Sequence, residues 1–110
     1  MNGGLIENNR AYRDSTGGGG VFVDGKFMMN GGTIRANRAT KSGGGVLVRG
    51  TFIKSNTAGI IYGGEATDGN ANIADQYGHA VYTKNGSRDT TARASMKLDS
   101  SKQGADGGWE

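Results

Sequence analysis

Gly18-Gly19-Gly20-Val21-Phe22-Val23 decides the fold, because it returns. Gly43-Gly44-Gly45-Val46-Leu47-Val48 is a second copy 25 residues on, and Gly78-His79-Ala80-Val81-Tyr82-Thr83 is a looser third copy a further 35 on. Each is a turn of small residues that feeds a short alternating stretch. Alternation of apolar and polar positions is the mark of a strand, whose successive side chains point to opposite faces.

Asn2-Gly3-Gly4-Leu5-Ile6-Glu7-Asn8-Asn9-Arg10-Ala11 likewise aligns with Asn30-Gly31-Gly32-Thr33-Ile34-Arg35-Ala36-Asn37-Arg38-Ala39 at an offset of 28. Gly20 to Phe27 aligns with Gly45 to Phe52 at an offset of 25. One unit therefore holds three apolar pieces: Leu5-Ile6 or Thr33-Ile34, the Val-x-Val piece, and Phe27-Met28-Met29 or Phe52-Ile53-Lys54. No window carries a helical stripe, and glycine costs about 1 kcal/mol at a helical position. Such a unit cannot bury its own apolar side chains. Stacking units about 4.8 Å apart buries columns of equivalents and pairs each strand with its copy. The expected fold is all-β, a parallel β-helix (β-solenoid) of about three coils with a C-terminal cap. Ile6/Ile34, Val21/Val46/Val81, Val23/Val48 and Phe27/Phe52 form its inward columns.

The same register stacks Glu7 over Arg35 and Asp24 over Arg49, opposite charges that favour it. Arg10 falls over Arg38, so those side chains must splay into water. Asn9 over Asn37 makes an amide ladder. The third unit departs from the pattern. Asn56-Thr57-Ala58-Gly59-Ile60-Ile61-Tyr62 supplies its Thr-Ile piece with no ladder asparagine. The chain reads as a single domain over 1–110, with regular coils over 1–62, an inserted loop over 63–77 holding one strand near Asn72-Ile73, and the last coil with its cap and tail over 78–110. Lys84-Asn85-Gly86-Ser87 reads as a tight turn, with a strand over 88–92 after it. Met96-Lys97-Leu98 is the last apolar piece. The tail, with the single Trp109, reads as frayed or loosely docked.

Glycine makes up 22 of the 110 residues, and proline and cysteine are absent. There is thus no disulfide framework and no thiolate metal site. Leu, Ile, Val and Phe number 17, which is low enough that only the repeats argue against disorder at a net charge of +3. No apolar run is long enough to span a bilayer, and no signal peptide is visible at Met1. Basic residues form no run, so no nucleic-acid patch is signalled.

The residues Met29-Asn30-Gly31-Gly32-Thr33-Ile34-Arg35-Ala36-Asn37-Arg38-Ala39, followed by Gly43-Gly44-Gly45-Val46, resemble the glycine-rich repeats of bacterial surface proteins of spirochaetes and gut bacteria. They are similar to the right-handed parallel β-helix passenger regions of adhesins. The resemblance covers nearly the whole chain and implies a right-handed β-helix at a cell surface or secreted, with no catalytic residues to carry over.

Gly20-x-x-x-x-Gly25-Lys26 lacks the hydroxyl of a phosphate-binding loop, since Phe27 follows, and no helix follows either. Asp68, Asn70 and Asn72 match the first half of a calcium loop, but Ile73 and His79 stand where Gly and Glu are needed. A polar loop is the expectation there, with weak calcium binding the alternative. His79, the only histidine, reads as a corner residue. Asp24, Arg49 and Lys84 share a column that makes an ion-pair stack rather than a carboxylate cluster, so no enzyme and no cofactor are expected. A polysaccharide-degrading enzyme is the distant alternative. Phe22, Leu47 and Tyr82 lie between the inward valines and are expected to stack outward as an apolar stripe, which either stiffens the sheet or binds a carbohydrate or partner surface. The expected function is a non-catalytic structural or adhesive module. Its expected partner is a second copy, as a homodimer or head-to-tail stack, through an N-terminal coil that lacks a polar cap. A glycan or host surface is a further expectation; nucleic acid and membrane insertion are not.

Overall fold

The structure, a computed structural model, describes residues 1–13, 17–54 and 58–83 and the backbone of 108–109. Its first three strands are β1 (Asn2–Glu7), β2 (Arg10–Ala11) and β3 (Val21–Met29). The trio recurs as β4 (Gly31–Arg35), β5 (Arg38–Ala39) and β6 (Val46–Lys54), and again as β7 (Ile60–Ile61), β8 (Ile73–Ala74) and β9 (Val81–Thr83). Among the described residues all regular structure is β.

Each strand pairs in parallel with its counterpart in the next trio, giving three sheets ordered β1-β4-β7, β2-β5-β8 and β3-β6-β9. The chain thus visits three sheets in the same order three times. The register follows the repeat: Val21 sits opposite Val46 and Val46 opposite Val81, Ile6 opposite Ile34 and Ile34 opposite Ile61, and Phe27 opposite Phe52. A short β10 (Gly108–Trp109) adds to β9 in antiparallel fashion, placing the end of the tail on the third sheet. The expected turn at Asn85-Gly86, the strand over 88–92 and the Met96-Lys97-Leu98 piece lie outside the described residues.

Alternation decides what faces the core. In β6, Val46 and Val48 are fully buried and Phe52 nearly so, and they join Met29, Ile34, Ile61, Ala80 and Val81 in one core. Phe27 and Phe52 stack with ring centroids 6.0 Å apart and planes 12° from parallel. The second sheet contributes small residues, Ala39 and Ala74, both buried. Burial is poorest in the first trio, where Met1, Ile6, Val21, Val23 and Phe27 are only partly covered.

The corner glycines serve two purposes. Gly18, Gly43 and Gly78 have φ of 78°, 70° and 70°, a region that costs side-chain-bearing residues energy. Gly19 and Gly44 instead lie against the next trio: a Cβ on Gly44 would sit 2.6 Å from the His79 carbonyl oxygen and 2.5 Å from the Ile73 backbone. Backbone cannot retreat as a flexible side chain can, so Gly44→Ala is expected to cost about 3 kcal/mol in chemical denaturation. Gly3→Ala, with nothing within 4 Å of its Cβ, should cost little. The equivalent of Gly44 in the third trio is His79, where no fourth trio is stacked among the described residues. Its Nδ1 accepts the Ala74 N–H at 3.0 Å, so the imidazole occupies a backbone donor of β8.

Candidate functional site

The outer face of the third sheet holds Phe22, Leu47 and Tyr82 directly opposite one another, as the repeat requires. The expectation that all three face solvent is corrected. Phe22 is 43% exposed, whereas Leu47 and Tyr82 are each only 6% exposed. Residues leading into the first and third corners fold over this face. Gly17 lies so close to Leu47 that a Cβ there would come within 2.6 Å of its Cδ1. Tyr77 stacks on Tyr82 at 6.3 Å between centroids. The remaining ring, Phe22, carries the Arg49 guanidinium 5.3 Å from its centroid. A flat aromatic platform for a sugar ring is therefore not assembled by these three residues.

The half calcium loop is not assembled either. Asp68 is exposed with φ 58°, while the Asn70 side-chain oxygen accepts from the Arg35 guanidinium at 3.1 Å. Asn72 is fully buried. Its Oδ1 accepts from the Asn37 N–H and Nδ2, and its own Nδ2 donates to the carbonyls of Ile34 and Tyr62. A cation and a guanidinium would compete for Asn70, and the lone pairs of Asn72 are already spent. Among the described residues no group of three or more His, Cys, Asp or Glu could hold a metal ion.

Asn72 is instead the third step of the amide ladder, which corrects the expectation that the third unit has none. Asn37 accepts from the Asn9 N–H at 3.0 Å and from its Nδ2 at 3.1 Å, and donates through its own Nδ2 to the Ile6 and Arg35 carbonyls. Each amide thereby satisfies the turn backbone between the first and second sheets, at a point where Asn37 and Asn72 are sealed from water.

The charge columns resolve in different ways. Arg35 donates to Glu7 at 2.7 Å, a half-exposed pair worth at most about 1 kcal/mol. Arg10 and Arg38 do stack in register. Arg38 turns to Asp75 at 2.8 Å and Arg10 lies over the Tyr12 ring at 4.9 Å, so the splay is real and each cation finds a partner. Asp24 is opposite Arg49, but that guanidinium spends itself on Phe22.

Among the described residues, Lys54 is the buried cation that sequence reading missed. It sits opposite Met29, is 1% exposed, and donates from Nζ to the carbonyls of Ala58 at 3.1 Å and Gly59 at 2.6 Å. Burial pushes its amine down from 10.5 to about 8. Below pH 8 the folded protein bears the full cost of holding a cation inside. Between about 8 and 10.5 the unfolded chain binds more protons than the folded one, so stability rises with pH. The rise is expected to be no more than about 2 kcal/mol after solvent screening. Lys54→Met, which continues the Met29 column, should remove that share of the pH dependence; melts at pH 7 and pH 10 on both proteins check it.

Among the described residues, the remaining open feature is the edge formed by the first trio. β3 is the outermost strand of its sheet. The Val21 N–H points inward to β6, donating to the Gly45 carbonyl. By alternation, the backbone groups of Phe22, Asp24, Lys26 and Met28 face the free side, and the Met28 carbonyl there accepts from the Met1 amine at 2.7 Å. Comparison with known proteins finds no matching family model, no matching curated protein and no matching solved structure.

Proposed function

We propose that the chain is a right-handed parallel β-helix of three coils that serves as a non-catalytic structural or adhesive module of a bacterial surface or secreted protein, self-associating through its N-terminal coil. The observation that carries this reading is the order of pairing, in which three sheets are visited three times in sequence with every counterpart in register. Parallel strands joined by crossovers are right-handed in nearly all proteins, which supports the hand. The amide ladder and the corner glycines support stacking, since both act between consecutive units rather than within one. The exposed β3 edge and the half-covered Val21, Val23 and Phe27 support association at that end. A module reading is favoured over a sugar-binding stripe because Leu47 and Tyr82 are covered.

The test pairs two assays on the purified chain. Immobilised protein is exposed to labelled copies of itself and to extracellular-matrix proteins and mucin, and a polysaccharide panel is assayed for reducing ends. Retention on such surfaces with no hydrolysis is the expected result. Release of reducing ends from any polysaccharide, lost on unfolding, overturns the non-catalytic reading.

A further inference from the structure

The edge strand β3 reads Val21-Phe22-Val23-Asp24-Gly25-Lys26-Phe27-Met28-Met29, and about Gly25 it is complementary to its own reverse. We infer that two copies of the chain join antiparallel, β3 to β3, about a two-fold axis through Gly25. This deepens the self-association proposed above and rests on it.

In that register Asp24 opposes Lys26 of the second copy, and the pair occurs twice by symmetry. Val23 opposes Phe27, and Phe22 opposes Met28. Side-chain parity is kept throughout. Val21, Val23, Phe27 and Met29 lie on the core side of both copies, while Phe22, Asp24, Lys26 and Met28 lie on the outer side. Phe22 and Met28 are each 43% exposed and would cover each other. Asp24 and Lys26 are exposed and neither forms an ion pair among the described residues. A two-fold contact must be self-complementary, and this strand is so in charge and in apolar character together.

Backbone parity agrees. The groups facing the free side belong to Phe22, Asp24, Lys26 and Met28, so Asp24 and Lys26 would exchange N–H and C=O bonds as the hydrogen-bonded pairs of an antiparallel ladder. Gly25 falls on the axis as a non-hydrogen-bonded pair, where strands approach closest, and a Cβ there would meet nothing within 4 Å. The sheet then continues as β10-β9-β6-β3 from one copy into β3-β6-β9-β10 of the other. The outermost pair requires the Met28 carbonyl to exchange the Met1 amine for the Phe22 N–H of the second copy.

Sedimentation equilibrium over the micromolar range on the whole chain tests this. The unmodified protein should approach twice its 11.4 kDa. Asp24→Lys and Lys26→Asp should each weaken the dimer about tenfold or more, by placing like charges opposite one another. Mixing the two variants should restore a heterodimer, and the double variant D24K/K26D should self-associate again. Circular dichroism and melting should show both single variants folded, since the positions are exposed. Added salt should weaken the unmodified dimer without any substitution. Self-association that ignores the single swaps overturns the β3 register while leaving self-association standing. A monomer at every concentration, or head-to-tail polymers, overturns the two-fold pairing, and the monomer overturns self-association as well.

Discussion

Asn37→Asp is expected to abolish cooperative folding or to cost about 4 kcal/mol or more. The substitution is nearly isosteric, so packing is not at issue. In the native protein Nδ2 of Asn37 donates toward three oxygens: the Arg35 carbonyl at 2.8 Å, Oδ1 of Asn72 at 3.0 Å and the Ile6 carbonyl at 3.1 Å. Aspartate puts an oxygen there, with a charge, at a site 1% exposed. Three acceptors lose a donor and face a repulsion, and the buried carboxylate has no cation among these partners. Asn72→Asp should be comparable, because its Nδ2 serves the Ile34 and Tyr62 carbonyls in the same sealed turn. Asn9→Asp should be far milder, since Asn9 is exposed and water can take up what is lost. Guanidinium denaturation of the three variants, read by far-UV circular dichroism, checks the ranking.

Val46→Asp should be of similar severity, several kcal/mol and on the order of 4. Val46 is fully buried between Val21 and Val81, and no neighbour in that column can hydrogen-bond a carboxylate. The outward control is Phe22→Asp, expected to cost less than about 1 kcal/mol because Phe22 is 43% exposed and a carboxylate there keeps its contact with water and lies near Arg49. Leu47→Asp, which pure alternation would rank as tolerated, is not an outward control. Its side chain lies under Gly17, and it should cost about 2 kcal/mol, between the other two. Thermal melts of the three variants separate the cases. Equal loss at Val46 and Phe22 would mean the two faces of the strand are misassigned.

Much of this architecture is legible in the chain because repeats expose register. Once Gly20-Val21-Phe22-Val23 is laid on Gly45-Val46-Leu47-Val48, the pairing of Val21, Val46 and Val81 and the column of Glu7 with Arg35 follow without further information. What escaped has three physical causes. Asn9-Arg10-Ala11, Asn37-Arg38-Ala39 and Asn72-Ile73-Ala74 share an Asn-x-Ala pattern, so the third ladder position was visible. The chain between β7 and β8 lengthens the spacing from 28 to 35 residues, and a search at fixed offset steps over it. Lys54 likewise follows Val46, Val48 and Phe52 at alternate positions, so parity placed it inward, but a lysine at the end of a strand invites the reading of a solvated tip. Leu47 and Tyr82 escaped for another reason. Alternation tells which face a side chain is on, but not what folds over that face, and the cover comes from residues such as Gly17 and Tyr77 whose path no periodicity encodes.

In the proposed β-helix the chain is built of interchangeable units that contact only their neighbours. Tandem duplication of residues 21–45, inserted directly after Gly45, tests it most directly. The copy supplies one strand to each sheet, one further ladder asparagine, and a further Ile34, Val21, Val23 and Phe27 to the inward columns, and it rejoins at Val46 with the corner intact. The expected product unfolds in one cooperative transition with a β-type spectrum, a larger denaturant m-value and a higher melting temperature, since each added interface contributes stability. An insert that proteases excise from an otherwise unchanged core, or a product with a lowered melting temperature and no gain in m-value, would contradict it.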